Sequence, residues 1–176
     1  MLGELLQFNN GFLSSIAGLH PDVVVARFRQ CPQSFYCVID SSVPAHRLHG
    51  YFIVLPINSD AVTAIRAGRI AAGRDIDETH LACGENAPAA GVYLSVVCAA
   101  GPRAQAAAVH GVIDVLRRFH RVNGARFLFA RAATVAGARI LQRLTNRTFL
   151  PDGRIHEIEL AEYPLMTSSE SFRNCE

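Results

Sequence analysis

The chain has 176 residues, half of them apolar, which suits one domain whose core needs no metal or disulfide to hold it together. Its net charge is +2 at pH 7, and no stretch approaches the roughly 18–20 uncharged apolar residues of a membrane helix. Because no basic segment followed by an apolar run opens the sequence, we expect no signal peptide and a cytoplasmic protein with no membrane partner.

The first part of the chain predicts helices followed by a hairpin. Residues 1–30 read as two short N-terminal helices. Phe35–Ile39 and His49–Leu55 are apolar runs rich in β-branched and aromatic residues, which predicts two strands. A short polar link between them favours an antiparallel pair, and Pro56 is expected to end the second strand.

A helix and a long connection are predicted next. Ser59 or Asp60 should cap a helix that runs to Ala67 and ends at Gly68. Residues 69–90 lack a clear period and read as a long connection with about one helical turn.

The clearest pattern is strand, helix, strand, helix over residues 91–147. Val92–Cys98 is a nearly continuous apolar run, as expected of a buried strand, and Gly101-Pro102 breaks it before a helix. Phe127–Ala130 predicts another buried strand, and Thr134 can cap a second helix. We expect the two strands to be parallel with a right-handed crossover.

The whole chain is therefore interpreted as one α/β domain over residues 1–165. Ile155–Leu160 reads as its last strand, and residues 166–176 read as a flexible polar tail.

The cysteines suggest reduced thiols and no metal site. Their number is odd, no pair has the C-x-x-C spacing, and no histidine cluster completes a zinc set. The five are Cys31, Cys37, Cys83, Cys98 and Cys175.

Positive charge is concentrated in one segment. Between Arg103 and Arg147 there are nine arginines and one acid, Asp114, which is an excess of eight charges. Such a segment suits a polyanionic ligand, either a small molecule with several phosphates or a nucleic acid. Arg117-Arg118-x-x-Arg121 could hold a phosphate or be exposed helix arginines with neither role.

The turn at Gly101-Pro102 opens a helix whose first turns carry very small side chains. The first backbone N–H groups of a helix lack internal partners and lie at the positive end of its dipole, so an anion can bind there. Arg103 stands at this start with no acid beside it, which indicates an external anion. The alternative is an ordinary buried helix that needs alanine to pack on its sheet.

The same segment resembles the acyl-CoA core of the GNAT acetyltransferase superfamily. Arg103-x-x-Ala106-x-Ala108 is similar to that family's Arg/Gln-x-x-Gly-x-Gly/Ala signature. Gly50–Pro56 resembles its central antiparallel strand, and Thr134–Leu144 its second cofactor-side helix. The likeness covers roughly residues 35–160 and implies a GNAT-like α/β (α+β) fold: a mixed sheet of six to seven strands with helices on both faces.

The resemblance also implies a binding site for acetyl-CoA or another acyl-CoA. Backbone groups of the apolar strand would pair with the pantetheine arm, the helix start would hold the pyrophosphate, and Thr134 would take the place of a family Asn. The implied residues are Val96, Val97, Cys98, Arg103, Ala104, Gln105, Ala106, Ala107, Ala108 and Thr134.

Two departures concern catalysis more than binding. Leu141 stands where the family often has a Tyr that protonates the leaving thiolate, and the family's N-terminal strand is not evident. A base could come from the long connection, where the candidates are Asp77, Glu78, His80 and Glu85, although such residues are commonly solvated loop charges.

Three functions stay open from the sequence. The first is an N-acyltransferase that moves an acyl group from acyl-CoA to an amine on a small molecule or peptide. The second is a catalytically inactive acyl-CoA-binding module. The third is a nucleic-acid-binding domain that uses the arginine-rich segment, and nucleic acid is the least favoured of the possible partners. A homodimer is also left open.

Overall fold

The computed structural model of the chain describes residues 21–40, 47–84, 86–145, 147 and 153–162. The first predicted helix and the predicted tail lie outside these residues. None of the helices in these ranges is both long and apolar enough to cross a bilayer.

The described residues form five strands and four helices. The strands are β1 (Phe35–Asp40), β2 (Arg47–Ile57), β3 (Gly91–Ala99), β4 (Phe127–Arg131) and β5 (Ile155–Glu159). The helices are α1 (Pro21–Gln30), α2 (Ser59–Arg66), α3 (Gly101–Asn123) and α4 (Val135–Thr145). Short 3₁₀ turns cover Pro32–Ser34, Gly73–Asp75, Glu78–His80 and Leu160–Glu162.

The strands form one open mixed sheet in the order β1-β2-β3-β4-β5. The hairpin of β1 and β2 is antiparallel as predicted, and the parallel pairing predicted for β3 and β4 is confirmed. The fold is therefore α/β with a mixed sheet, but the described residues contain five strands rather than six to seven.

Helices cover both faces of the sheet. The helices α3 and α4 pack on one face, where Leu116 and Leu144 are almost fully buried with Val54 and Leu128. The helix α2 packs on the other face against the tyrosine-bearing side of β2 and β3. Burial of apolar residues on both faces explains why the central strands read as continuous apolar runs.

The strand β2 does not end at Pro56 as expected. Pro56 pairs with Val92 of β3, and the strand continues to Ile57. Pairing of β2 with β1 stops at Ile53, and the Pro56 carbonyl accepts a hydrogen bond from the Ala82 amide at 3.0 Å. The missing N–H is tolerated because the ladder with β1 has already ended at this position.

The cap of α2 is one residue earlier than expected. Asn58, rather than Ser59 or Asp60, is the N-cap, and its Oδ1 accepts a hydrogen bond from the Ala61 amide at 3.0 Å. The helix ends before Gly68, whose positive φ of 71° fits the predicted stop.

The prediction of five reduced thiols is wrong for two of them. Cys31 and Cys83 form a disulfide, with their Cα atoms 5.3 Å apart. Residues 52 positions apart in sequence can be paired only once the fold has brought them together, and spacing alone does not reveal this.

Candidate functional site

A β-bulge in β3 prepares the site. Ile53 of β2 pairs with Val96, but the next residue, Val54, pairs with Leu94, so Ser95 is an extra residue in β3. A bulge bends its strand and increases the local twist.

Beyond the bulge, β3 separates from β4. The parallel ladder runs from Gly91 opposite Phe127 to Leu94 opposite Ala130 and stops there. Among the described strands, the second half of β3 pairs only with β2. In the described part of the chain, the edge of Ser95–Ala99 on the β4 side therefore has no strand neighbour and can take an extended partner.

The helix α4 begins beside this open half of β3, and a cleft of about 460 Å³ lies between them. Ser95–Ala99 form one wall, and residues of α4 and its cap, between Thr134 and Arg143, contribute the other. Gln105 and Val109 of α3 complete it. This volume lies within the roughly 300–1,000 Å³ of small-molecule sites.

The cleft is positively charged. Arg131, Arg139 and Arg143 all contribute to its lining, and no described lining residue is acidic. The first turns of α3 and α4 also contain no acidic residue, so nothing on them offsets the positive ends of the helix dipoles. The arrangement favours a ligand that carries negative charge.

The start of α3 is accessible. Arg103, Gln105, Ala106 and Ala107 are exposed, and the N-cap residue, Ala100, makes no side-chain hydrogen bond to the helix start. The alanines therefore fit both interpretations of this turn. Ala106 and Ala107 leave the backbone accessible, whereas Ala104 and Ala108 are 7% and 0% exposed and Ala108 belongs to the core.

The structure brings together half of the residues expected to bind the cofactor. Lining the cleft are Val96, Val97, Cys98, Gln105 and Thr134. The other five lie on the first two turns of α3 and are not part of its lining: Arg103, Ala104, Ala106, Ala107 and Ala108.

Thr134 has a structural role at the same place. Its Oγ1 accepts a hydrogen bond from the Gly137 amide at 3.0 Å, which caps α4 as predicted. The cap fixes the helix start beside the cleft.

The residues considered as a base lie elsewhere. The Glu78–His80 turn, which Asp77 caps, is held at the start of α2, where the Asn58 amide donates to the His80 carbonyl at 3.0 Å. This is the end of the sheet at which Ile57 pairs with Gly91, the opposite end of β3 from the cleft. Glu85 is outside the described residues.

The three arginines of α3 that the sequence suggested for phosphate also lie outside the lining. Arg118 and Arg121 are exposed farther along α3, and Arg117 forms an ion pair with Asp114 at 3.4 Å. The charge of the cleft comes instead from Arg131, Arg139 and Arg143.

Burial favours the neutral forms of a thiol and two tyrosine hydroxyls on β2 and β3. It raises the pKa of the Cys98 thiol, which makes that residue a poor nucleophile at neutral pH. It also raises the pKa of Tyr51, and that of Tyr93 to about 12, although Arg131 opposes the second shift. Both tyrosines are core residues rather than lining residues.

Sequence reasoning missed four polar or charged lining residues. Ser95 was hidden because a bulge depends on how β2 pairs, which an apolar run does not reveal. Arg131, Arg139 and Arg143 belong to the arginine-rich segment, but their common side becomes evident only when α4 is placed beside β3. The spacing of four between Arg139 and Arg143 was the available signal.

No family model, curated protein or solved structure matches this chain.

Proposed function

We propose that this protein is an acyl-CoA-dependent N-acyltransferase with a GNAT-like fold, acting on an amine of a small molecule or peptide. The observation that carries the proposal is the cleft between the open half of β3 and the start of α4. An extended ligand can add to Ser95–Ala99 as a strand would, while its anionic end meets the cationic lining.

The residues present fit acyl-CoA. The open side of β3 suits the amide-containing pantetheine arm, which needs both donors and acceptors. The exposed start of α3 near Gln105 suits a pyrophosphate. Arg139 and Arg143 offer guanidinium groups, which bind phosphates strongly.

When bound, acyl-CoA supplies a thioester whose acyl group passes to the amine with loss of the thiol. The chain's own contribution is to hold and orient the ligand along β3 and to exclude water with the apolar residues Val97, Ile140 and Leu141. Cys98, held as a neutral thiol, contributes bulk rather than a nucleophile.

Binding is tested by thermal melting with acetyl-CoA. A ligand present at 100 times its Kd stabilises a protein by about 2.7 kcal/mol, so the melting temperature should rise. Arg139→Gln and Arg143→Gln should each weaken binding by roughly tenfold or more, since a hydrogen bond to a charged group contributes about 1.5–3 kcal/mol.

Arg121→Gln is the matched control, because Arg121 is exposed on α3 and does not line the cleft. It should leave acetyl-CoA affinity unchanged. An unchanged melting temperature for the native protein at millimolar acetyl-CoA would refute the proposal.

A binding module without catalysis is the second candidate. It is favoured by Leu141, an almost fully buried side chain of the cleft wall that stands where the resemblance implies a tyrosine. Release of free CoA thiol with a panel of amines separates the two, because a binding module releases none.

The third candidate, nucleic-acid binding, makes a different prediction. Affinity for DNA or RNA should then be high and fall steeply with salt, while acetyl-CoA leaves the melting temperature unchanged. The arginine excess fits this reading, but the volume of the cleft, about 460 Å³, favours a small molecule.

A further inference from the structure

The helix α1 is attached to the connection by a buried guanidinium. Arg27 is 6% exposed, and its Nη2 donates to the carbonyl oxygens of Gly73 at 2.7 Å and Ile76 at 2.5 Å. A guanidinium that has lost most of its water requires such acceptors. Both carbonyls are therefore held around one side chain of α1.

Two more contacts attach the same end of α1. Nε2 of Gln30 donates to the Glu78 carbonyl at 3.3 Å, and Cys31 forms its disulfide with Cys83. Together with Arg27, these contacts fix residues 73–83 of the connection to the last turn of α1.

The Gly73–Asp75 turn packs directly behind the cleft. A Cβ placed on Gly73 would lie 2.9 Å from Cε1 of Tyr93 and 3.2 Å from Oγ of Ser95. Ser95 also lines the cleft, so the turn contacts the bulge of β3 directly. The contacts of α1 therefore fix a turn that packs against the β3 wall of the cleft.

We propose that the Cys31–Cys83 disulfide is a redox switch that sets how firmly the Gly73–Asp75 turn is held against Tyr93 and Ser95. With the bond formed, the turn is fixed and the wall of the cleft is rigid. With the bond broken, the contacts described between this end of α1 and the connection are those of Arg27 and Gln30. The turn then separates more often, and the cleft binds its ligand more weakly. The effect on acyl-CoA rests on the proposed function, whereas the effect on the turn does not.

The reaction is thiol–disulfide exchange with a dithiol reductant. Cys83 is half-buried and Cys31 is fully buried, so the reductant's thiolate attacks the Cys83 sulfur and the Cys31 thiolate leaves and takes a proton. The second thiol of the reductant then displaces Cys83. One S–S bond breaks in the protein, two S–H bonds form, and the reductant becomes a disulfide.

The test is hydrogen–deuterium exchange of the oxidised and the dithiol-reduced protein, read by mass spectrometry. Amides of residues 73–77 and 93–97 should exchange roughly fivefold or more faster after reduction. Acetyl-CoA affinity, measured on the same two samples, should fall by roughly fivefold or more.

Three variants check the assignment. The Cys31→Ser/Cys83→Ser double variant should exchange like the reduced protein in either condition. Arg27→Met should raise exchange at residues 73–77 with the disulfide intact. Cys37→Ser should keep the response of the native protein, because Cys37 is not in the disulfide.

The outcomes separate this inference from the proposed function. Equal exchange of the oxidised and reduced protein in both peptides would overturn the switch. A change in exchange without any acetyl-CoA binding in either state supports the switch and removes the proposed function. Equal acetyl-CoA binding in both states, with exchange unchanged, supports the proposed function and overturns the switch.

Discussion

Tyr93 carries a polar group into the core behind the cleft. Its side chain is 2% exposed on β3, and burial raises its pKa to about 12 because a phenolate there would lose its hydration. Arg131 acts in the opposite direction, which places positive charge close to the hydroxyl.

The raised pKa makes stability depend on alkaline pH. An unfolded tyrosine loses its proton near pH 10, whereas the folded Tyr93 keeps its proton until about pH 12, so the unfolded state binds fewer protons in this window. The free energy of unfolding should therefore be undiminished below pH 10 and fall from pH 10 to 12. Urea unfolding at stepped pH values measures the slope.

Tyr93→Phe is the control for this slope. It removes one titrating group and should make the decline between pH 10 and 12 shallower, with Tyr51 still contributing. A decline as steep as that of the native protein would assign the effect to other groups.

Among single residues, the sequence singled out part of the lining of the cleft. Val96, Val97 and Cys98 line it, and they could be singled out because an apolar strand and the turn after it are local features. Ser95 could not be found, since its exposure depends on the register between β2 and β3. The roles of all these residues remain predictions.

Among the elements, α2 is joined to the long connection by the side chain of its N-cap residue. Asn58 caps the helix through Oδ1, and its Nδ2 donates to the Thr79 carbonyl at 2.7 Å. It therefore fixes both the start of α2 and the Glu78–His80 turn of the connection.

Asn58→Ala should lower the free energy of unfolding by about 1–2 kcal/mol, because it removes an N-cap and a second hydrogen bond. Ser59→Ala, one residue later, is the matched control and should change stability by less than about 0.5 kcal/mol. Urea denaturation of the two variants gives the comparison. A loss for Ser59→Ala as large as that for Asn58→Ala, or larger, would contradict the assignment of the cap to Asn58.

Most elements were predictable from local pattern. The strands and helices of residues 91–147 have clear periodicity and clear stops, and Gly124 ends α3 with a positive φ of 73°. The end of β2 was not predictable, because whether Pro56 is tolerated depends on where β1 stops pairing.

For the whole molecule, the disulfide is a covalent cross-link between distant parts of the chain that the composition did not predict. It joins residues 52 positions apart and encloses β1, β2 and α2. Closing a loop of this length restricts the unfolded chain by about 4 kcal/mol in the chain-entropy description.

The Cys31→Ser/Cys83→Ser variant should therefore lose roughly 2–4 kcal/mol of unfolding free energy in the absence of reductant. Guanidinium unfolding of the variant and of the native protein measures this loss. The native protein in excess dithiol should match the variant, and a variant as stable as the oxidised native protein would contradict the expectation.

The open half of β3 has a consequence for how the site can change over time. Backbone amide groups are alike in every residue except proline. A ligand that pairs with the backbone of Ser95–Ala99 would therefore depend on the spacing of these amides and not on the identity of the side chains. Mutation can then exchange one apolar residue for another in this stretch without altering what is recognised, while proline is forbidden. Under the proposed function, the site therefore depends on its backbone geometry, and its apolar side chains can vary.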